Sequence, residues 1–282
     1  MAQNRSLAQT CHKILRHSQI VISTLRDLLS KGDSLNVLEV GFGQGRAIME
    51  LAWMFRSENV NFYGINKMVT SEAREREDLR ETARRYQIMP EDAIAGFRLP
   101  EVFFYDAAKL HFADESIDLV YSAVSIRFIE RKAEFLEEVC RVLKPGGIAL
   151  LHIGESGWNY PHCQRLDTDL LTEHLNRFIL KYKDELIPLP AYLKLFENGV
   201  FDFQFINSDK CVLEITKLAS GTLNLHLKPD EKLSMSLREL QERHGLENPR
   251  GGFRCVYDIP ENLYRQLFEK GLLTKDMSAI GV

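Results

Sequence analysis

Between residues 35 and 154, short apolar runs take turns with longer stretches of helical period. "LNVLEV" (35–40), "NFYGI" (61–65), "EVFFY" (101–105), "SIDLVYS" (116–122) and "IALLHIG" (148–154) read as strands. "QGRAIMELAWMFR" (44–56) brings Ala47, Ile48, Leu51, Ala52 and Phe55 to one helical face. "RKAEFLEEVCRVL" (131–143) does the same with Phe135, Leu136, Val139, Val142 and Leu143. "SEAREREDLRETARRYQ" (71–87) predicts a helix whose charges of both signs form a solvated face. "KPGG" (144–147) is expected to end the helix before it, since proline cannot continue a helix and glycine takes positive φ. Strands alternating with helices of this length predict βαβ units, hence an α/β, doubly wound and mostly parallel sheet.

The flanks follow other rhythms. Residues 7–30 place Leu7, Ile14, Leu15, Ile20, Leu25, Leu28 and Leu29 at near-helical spacing, and "KGDS" (31–34) stops them. After Gly154, "TDLLTEHLNRFILKYKDEL" (168–186) predicts a helix and "PAYLKLFENG" (190–199) a short helix ended by glycine. "FDFQFINSDKCVLEITKL" (201–218) predicts two strands around a turn, and "TLNLHL" (222–227) alternates like a half-buried strand. "KLSMSLRELQERHG" (232–245) and "ENLYRQLFEKGLL" (261–273) predict helices, with "ENPRGGF" (247–253) as a loop between them. The expected organisation is an N-terminal helical segment (1–34), a core (35–218) and a C-terminal extension packed on that core (219–282).

Composition narrows the class. The 282 residues are 45% apolar and 27% charged, the mix of a soluble globular protein with a sizeable core. The formal net charge of −4 lacks the basic excess of a nucleic-acid-binding domain. Five cysteines, none at CxxC spacing, give no framework for zinc or disulfides, and no metal is expected. The first residues make a poor signal peptide, and no apolar run reaches the length of a bilayer span. The expectation is a cytoplasmic protein without a membrane partner.

The chemistry concentrates in "NVLEVGFGQGRA" (36–47). Gly41, Gly43 and Gly45 sit at every second position between a strand and a helix. Such a turn lets a ligand approach the backbone, and the helix N-terminus adds free N–H groups. A dinucleotide fingerprint would need a small residue at 46, where Arg46 stands. Glu39 would be a poor neighbour for a pyrophosphate but suits a ligand carrying positive charge.

"VLEVGFGQG" resembles the first motif of the class I S-adenosylmethionine (SAM)-dependent methyltransferases. "YDAAKLHFADESIDLVYS" (105–122) and "FLEEVCRVLKPGGIALL" (135–151) resemble the family's later segments, in the expected order. The resemblance covers residues 35–153 and implies a Rossmann-like sheet of seven strands that binds SAM, with the N-terminal helices as a lid. It implies that Gly41, Gly43 and Gly45 line the methionine moiety, with Glu39 as an acidic contact or as a cap of the glycine turn. Asp106 is implied as the adenine ligand or an N-terminal cap, Ala107 as a backbone donor, and Ser122 as a neighbour of the cofactor crevice. The family's ribose-binding acid is replaced here by Asn66, which puts the ribose contact in doubt. Arg127 and Phe128 stand where many relatives carry paired histidines. Arg127 reads as a clamp for an anionic substrate or as a structural ion pair.

Methyl transfer from a sulfonium is an in-line displacement, so aligning the acceptor matters more than any fixed catalytic residue. The loop "HIGESGWNYPH" (152–162) is the expected substrate region, with Trp158 and Tyr160 as walls and Glu155 or His162 as proton acceptors. The expected activity is methylation of an O or N atom of a small molecule. An RNA or protein acceptor, or a catalytically silent SAM-fold binding module, stay open as alternatives, as does the oligomeric state.

Overall fold

The structure, a computed structural model, describes residues 20–32, 34–68, 77–123, 125–153, 178–206, 212–245 and 252–273. Helix α1 spans Ile20–Leu29, followed by β1 (Leu35–Val40), α2 (Arg46–Met54), β2 (Val60–Asn66), α3 (Asp78–Arg85), α4 (Glu91–Ile94) and β3 (Glu101–Phe104). Then come β4 (Ile117–Ser122), a 3-10 turn (Ser125–Phe128), α5 (Lys132–Val142) and β5 (Leu143–His152). The last stretch holds β6 (Phe178–Tyr182), β7 (Glu185–Ile187), α6 (Leu189–Leu193), β8 (Phe201–Ile206), β9 (Val212–Lys217), β10 (Lys228–Pro229), β11 (Met235–Ser236), α7 (Leu237–His244), β12 (Phe253–Asp258) and α8 (Glu261–Glu269).

Seven strands form the main sheet in the order β3-β2-β1-β4-β5-β9-β8. The first five are mutually parallel, with Leu35 opposite Val60 and Val40 opposite Ile65 along the central pair. β9 runs antiparallel to both its neighbours. The α/β, Rossmann-like architecture expected from the alternating pattern is therefore present. Each central strand reads as a nearly unbroken apolar run because both of its faces are covered. On one face Val37, Leu119 and Leu150 pack against Val21, Leu25, Ile48 and Leu51 of α1 and α2. On the other, Leu38, Val40, Val120 and Leu151 meet Phe135, Leu136 and Val139 of α5. Each such side chain contributes about 1.5–3 kcal/mol of burial, so the sheet's centre is rigid and its strand ends are fixed points.

The structure corrects several expected elements. "KPGG" does not separate helix from strand, because β5 already begins at Leu143. Ile117 pairs with Leu143 and Leu119 with Ile148, so the proline–glycine segment is a bulge inside the ladder. Gly146 there has φ +83°, and a Cβ on Gly147 would lie 2.8 Å from the Lys144 carbonyl. The expected helix over 168–186 is a hairpin where the structure describes it: β6 and β7 pair around a turn in which Lys183 takes φ +53°. Phe178, Ile179 and Leu180 are buried in succession, a two-sided strand that mimics an apolar helix segment.

"TLNLHL" keeps its alternation, with Leu223 and Leu225 buried, but forms no strand. Side chains satisfy its backbone: the Leu225 N–H donates to Glu137 Oε1 at 2.7 Å, and Tyr192 donates its hydroxyl to the Leu225 carbonyl at 2.6 Å. The helix expected from 232 begins at Leu237, where Ser236 and Glu239 form a reciprocal capping box, and Gly245 ends it in the left-handed region. Phe253, expected in a loop, opens β12. A second sheet, β10-β12-β6-β7 with β11 beside β12, thus draws strands from both sides of residue 218. Its Phe178, Leu180, Cys255 and Tyr257 share one core with α5.

Candidate functional site

Because β1 to β4 are parallel, their carboxyl ends share one edge, and Gly41, Asn66, Asp106 and Ser122 all stand on it. The glycine turn is anchored from below. Phe42 is buried against Gly64, where a Cβ would come within 2.8 Å of its ring, and meets Phe104 edge-on. The Gly41 N–H donates to the Ile65 carbonyl at 2.8 Å, and Ser125 donates its hydroxyl to the Gly41 carbonyl at 3.2 Å. From α3, Thr82 donates its hydroxyl to the Gln44 carbonyl at 2.9 Å.

The three glycines have positive φ, but their surroundings differ. A Cβ on Gly41 would lie 1.9 Å from Ser125 Oγ, and one on Gly45 would lie 2.3 Å from Leu79. Among the described residues, a Cβ on Gly43 would meet nothing within 4 Å. Two glycines are therefore required by the protein's own packing, while no described residue crowds the Cα of Gly43. Such a cradle suits close approach of a ligand.

Glu39 is buried beneath this turn. Tyr121 donates its hydroxyl to Glu39 Oε2 at 2.9 Å, and the Ile48 backbone also bonds the carboxylate. Burial outweighs both bonds and pushes the carboxyl up to about 7. In this arrangement Glu39 braces the first turn of α2. Asn66 reads the Gly43 peptide with both ends of its amide: Gly43 N–H donates to Oδ1, and Nδ2 donates to the Gly43 carbonyl, each at 3.4 Å.

Asp106 accepts the Ala108 N–H at 2.9 Å, a local cap, and its other oxygen is 3.6 Å from Lys67 Nζ. Lys67 also lies 3.5 Å from Glu130, tying the end of β2 to the segment before α5. Ala107 is buried beside it. Ser122 is buried as well, and its hydroxyl has no hydrogen-bond partner among the described residues. An orphan hydroxyl costs about 1–3 kcal/mol unless something else meets it. Arg127 lies in the 3-10 turn after β4, with its guanidinium 5.3 Å from the Phe128 ring, and Phe128 is exposed. Glu155, Trp158, Tyr160 and His162 lie outside the described residues. Sequence reasoning missed Tyr121, Ser125 and Thr82 as supports of the turn. Tyr121 stands directly opposite Glu39 in the β1–β4 register, a pairing visible only once the strands are aligned.

A family model described as a methyltransferase domain matches residues 38–151, from inside β1 to the penultimate residue of β5. The match spans less than half of the chain, and what it shows is a methyltransferase domain over those residues. A malonyl-[acyl-carrier protein] O-methyltransferase from Methylococcus capsulatus is 44% identical over 52 residues, 18% of this chain and 19% of the relative. A ubiquinone/menaquinone biosynthesis C-methyltransferase from Laribacter hongkongensis is 48% identical over 56 residues, 20% of this chain and 22% of the relative. A fatty-acid O-methyltransferase from Mycolicibacterium smegmatis is 27% identical over 147 residues, 52% of this chain and 47% of the relative. The chain thus spans less than half the length of each of these relatives.

The methyltransferase domain implies SAM as cofactor. Two features of the crevice, taken among the described residues, fit that group: the uncrowded Gly43, and the Ser122 hydroxyl left without a partner on the same edge. No group of three or more metal-ligating side chains occurs among the described residues. No helix among them is long and apolar enough to cross a membrane.

Proposed function

We propose that the chain is an active SAM-dependent methyltransferase that methylates a carboxylate oxygen of a small-molecule acceptor. The observation that carries the transferase reading is the glycine turn, where Gly41 and Gly45 are closed by protein and Gly43 is open. SAM, when bound, supplies an activated methyl group. Gly43 would face its methionine portion, Asn66 and Asp106 its adenosine portion, and Ser122 would meet a polar atom in the crevice.

The carboxylate acceptor rests on two supports. Two of the relatives carry names of O-methyltransferases, and the names point to a malonyl-[acyl-carrier protein] and a fatty acid. Arg127, on the same edge as the glycine turn, offers a planar fork suited to a carboxylate. A carboxylate is already deprotonated at neutral pH, so the reaction asks for alignment and exclusion of water, not for a general base.

A second reading, a silent binding module, is favoured by one observation. Asn66, in place of an acid, spends both ends of its amide on Gly43. Titration with S-adenosylhomocysteine separates these readings from an unrelated function, and a radiolabelled methyl-transfer assay with medium- and long-chain carboxylic acids separates them from each other. Binding with turnover supports the transferase; binding without turnover across acids, amines and phenols supports the module.

A further inference from the structure

We propose that Lys132 and Cys255 form a redox modification site, at which a hydroperoxide drives formation of a covalent bond between Lys132 Nζ and Cys255 Sγ. The two residues are 123 positions apart in sequence, yet the amine lies 3.5 Å from the sulfur. Lys132 opens α5 in the methyltransferase domain, and Cys255 lies in β12 of the second sheet. Both side chains are buried. The amine is held in place by the Ile129 carbonyl at 2.5 Å and the Phe253 carbonyl at 3.2 Å. The thiol donates to the Glu130 carbonyl at 2.8 Å. Among the described residues no carboxylate lies within ion-pair distance of Lys132, which is unusual for a buried lysine.

The groups hydrogen-bonded to the amine are thus carbonyl oxygens and one sulfur, with the Glu130 charge acting from beyond ion-pair distance. Desolvation lowers the Lys132 pKa and favours the neutral, nucleophilic amine. Burial pushes the Cys255 thiol up, so its oxidation is slow and calls for excess peroxide.

The chemistry balances in two steps. The sulfur attacks the distal oxygen of the hydroperoxide; an S–O bond forms, the O–O bond breaks, and the thiol proton passes to the departing oxygen, which leaves as an alcohol (water, from hydrogen peroxide). The resulting sulfenic acid is then attacked at sulfur by the lysine nitrogen. An N–S bond forms, the S–O bond breaks, and the hydroxide leaves as water with a proton from nitrogen. Sulfur is oxidised by two electrons and the peroxide is reduced by two. A dithiol reverses the bond by thiol exchange at sulfur, releasing the free amine. The link would fasten β12 to the start of α5, next to Glu130 and its ion pair with Lys67 at the crevice edge.

The test uses the full chain treated with hydrogen peroxide, digested without reductant and analysed by peptide mass spectrometry. The expected product is a linked pair of peptides, one containing Lys132 and one Cys255, lighter than their sum by two hydrogens and separated again by dithiothreitol. Cys140 is an internal control: it is equally buried, and among the described residues the nearby Lys217 amine hydrogen-bonds its backbone carbonyl at 3.0 Å and not its sulfur. A sulfinic or sulfonic acid at Cys255 with Lys132 unlinked, or an unmodified Cys255 when other thiols are oxidised, overturns the proposal. Cys255→Ser, which keeps the size of the side chain, should abolish the linked pair.

Discussion

Tyr121 and Glu39 face each other across neighbouring parallel strands and share a 2.9 Å hydrogen bond beneath the glycine turn. The pair sets how the turn responds to pH. Burial holds the Glu39 carboxyl at about 7, above its ordinary value of 4.5. Between those limits the folded state keeps a proton that the unfolded chain has lost. Stability therefore falls as pH rises from about 4.5 to about 7, and levels off above that. The slope amounts to about 3 kcal/mol over the window. Thermal or urea unfolding across this range should show the decline, and Glu39→Gln should flatten it.

Removing the hydroxyl isolates the hydrogen bond. Tyr121→Phe leaves Glu39 buried with one partner fewer, at a cost of about 1–3 kcal/mol. Because that bond favours the ionised form, the Glu39 pKa should rise further in the variant. Urea unfolding at pH 8, where the carboxylate is charged, should show a larger loss than at pH 5.

Gly43 differs from its neighbours in what a methyl group would meet. Gly43→Ala places a side chain in open space, at a left-handed backbone strain of about 1–2 kcal/mol. The protein should fold, and affinity for S-adenosylhomocysteine should drop at least tenfold in a calorimetric titration. Gly41→Ala should instead lower stability itself, since its Cβ collides with Ser125 Oγ. Unchanged cofactor affinity in Gly43→Ala would remove that residue from the site.

Asn66 can be tested by restoring the charge. Asn66→Asp keeps the acceptor for the Gly43 N–H but loses the donor to the Gly43 carbonyl. If the side chain meets the ribose, a charge-assisted bond adds about 1–2 kcal/mol, or roughly tenfold in affinity. Tighter binding of S-adenosylhomocysteine is the expected result. Weaker binding would mean that the amide's hold on Gly43 matters more than the ribose contact.

Arg127→Ala should raise KM for a carboxylic acid while leaving kcat within a few-fold, the signature of lost ground-state binding. Equal losses in kcat and kcat/KM would place the residue in alignment of the reacting atoms instead.

The sheet and the crevice were legible because their signals are local. β1, β2, β3, β4 and α2 fall within about two residues of the sequence pattern, since each is a continuous apolar run or stripe between turn residues. Gly41, Gly43 and Gly45 announced the turn, but not that only Gly43 is open; that depends on Ser125 and Leu79, both remote in sequence. The second sheet was hidden for the same reason. Phe178–Leu180 reads equally as helix or strand until β12 lies beside it. Leu223–Leu225 alternates like a strand, yet Glu137 and Tyr192 satisfy its backbone in place of a neighbouring strand. Local pattern cannot distinguish a backbone met by a ladder from one met by two side chains.

The central claim, that the uncrowded turn at Gly43 receives the methyl donor, is tested most directly by calorimetric titration of the full chain with S-adenosylhomocysteine. The account predicts saturable binding at one site per chain, weakened at least tenfold in Gly43→Ala. Heats no larger than dilution in the folded wild-type protein would contradict it.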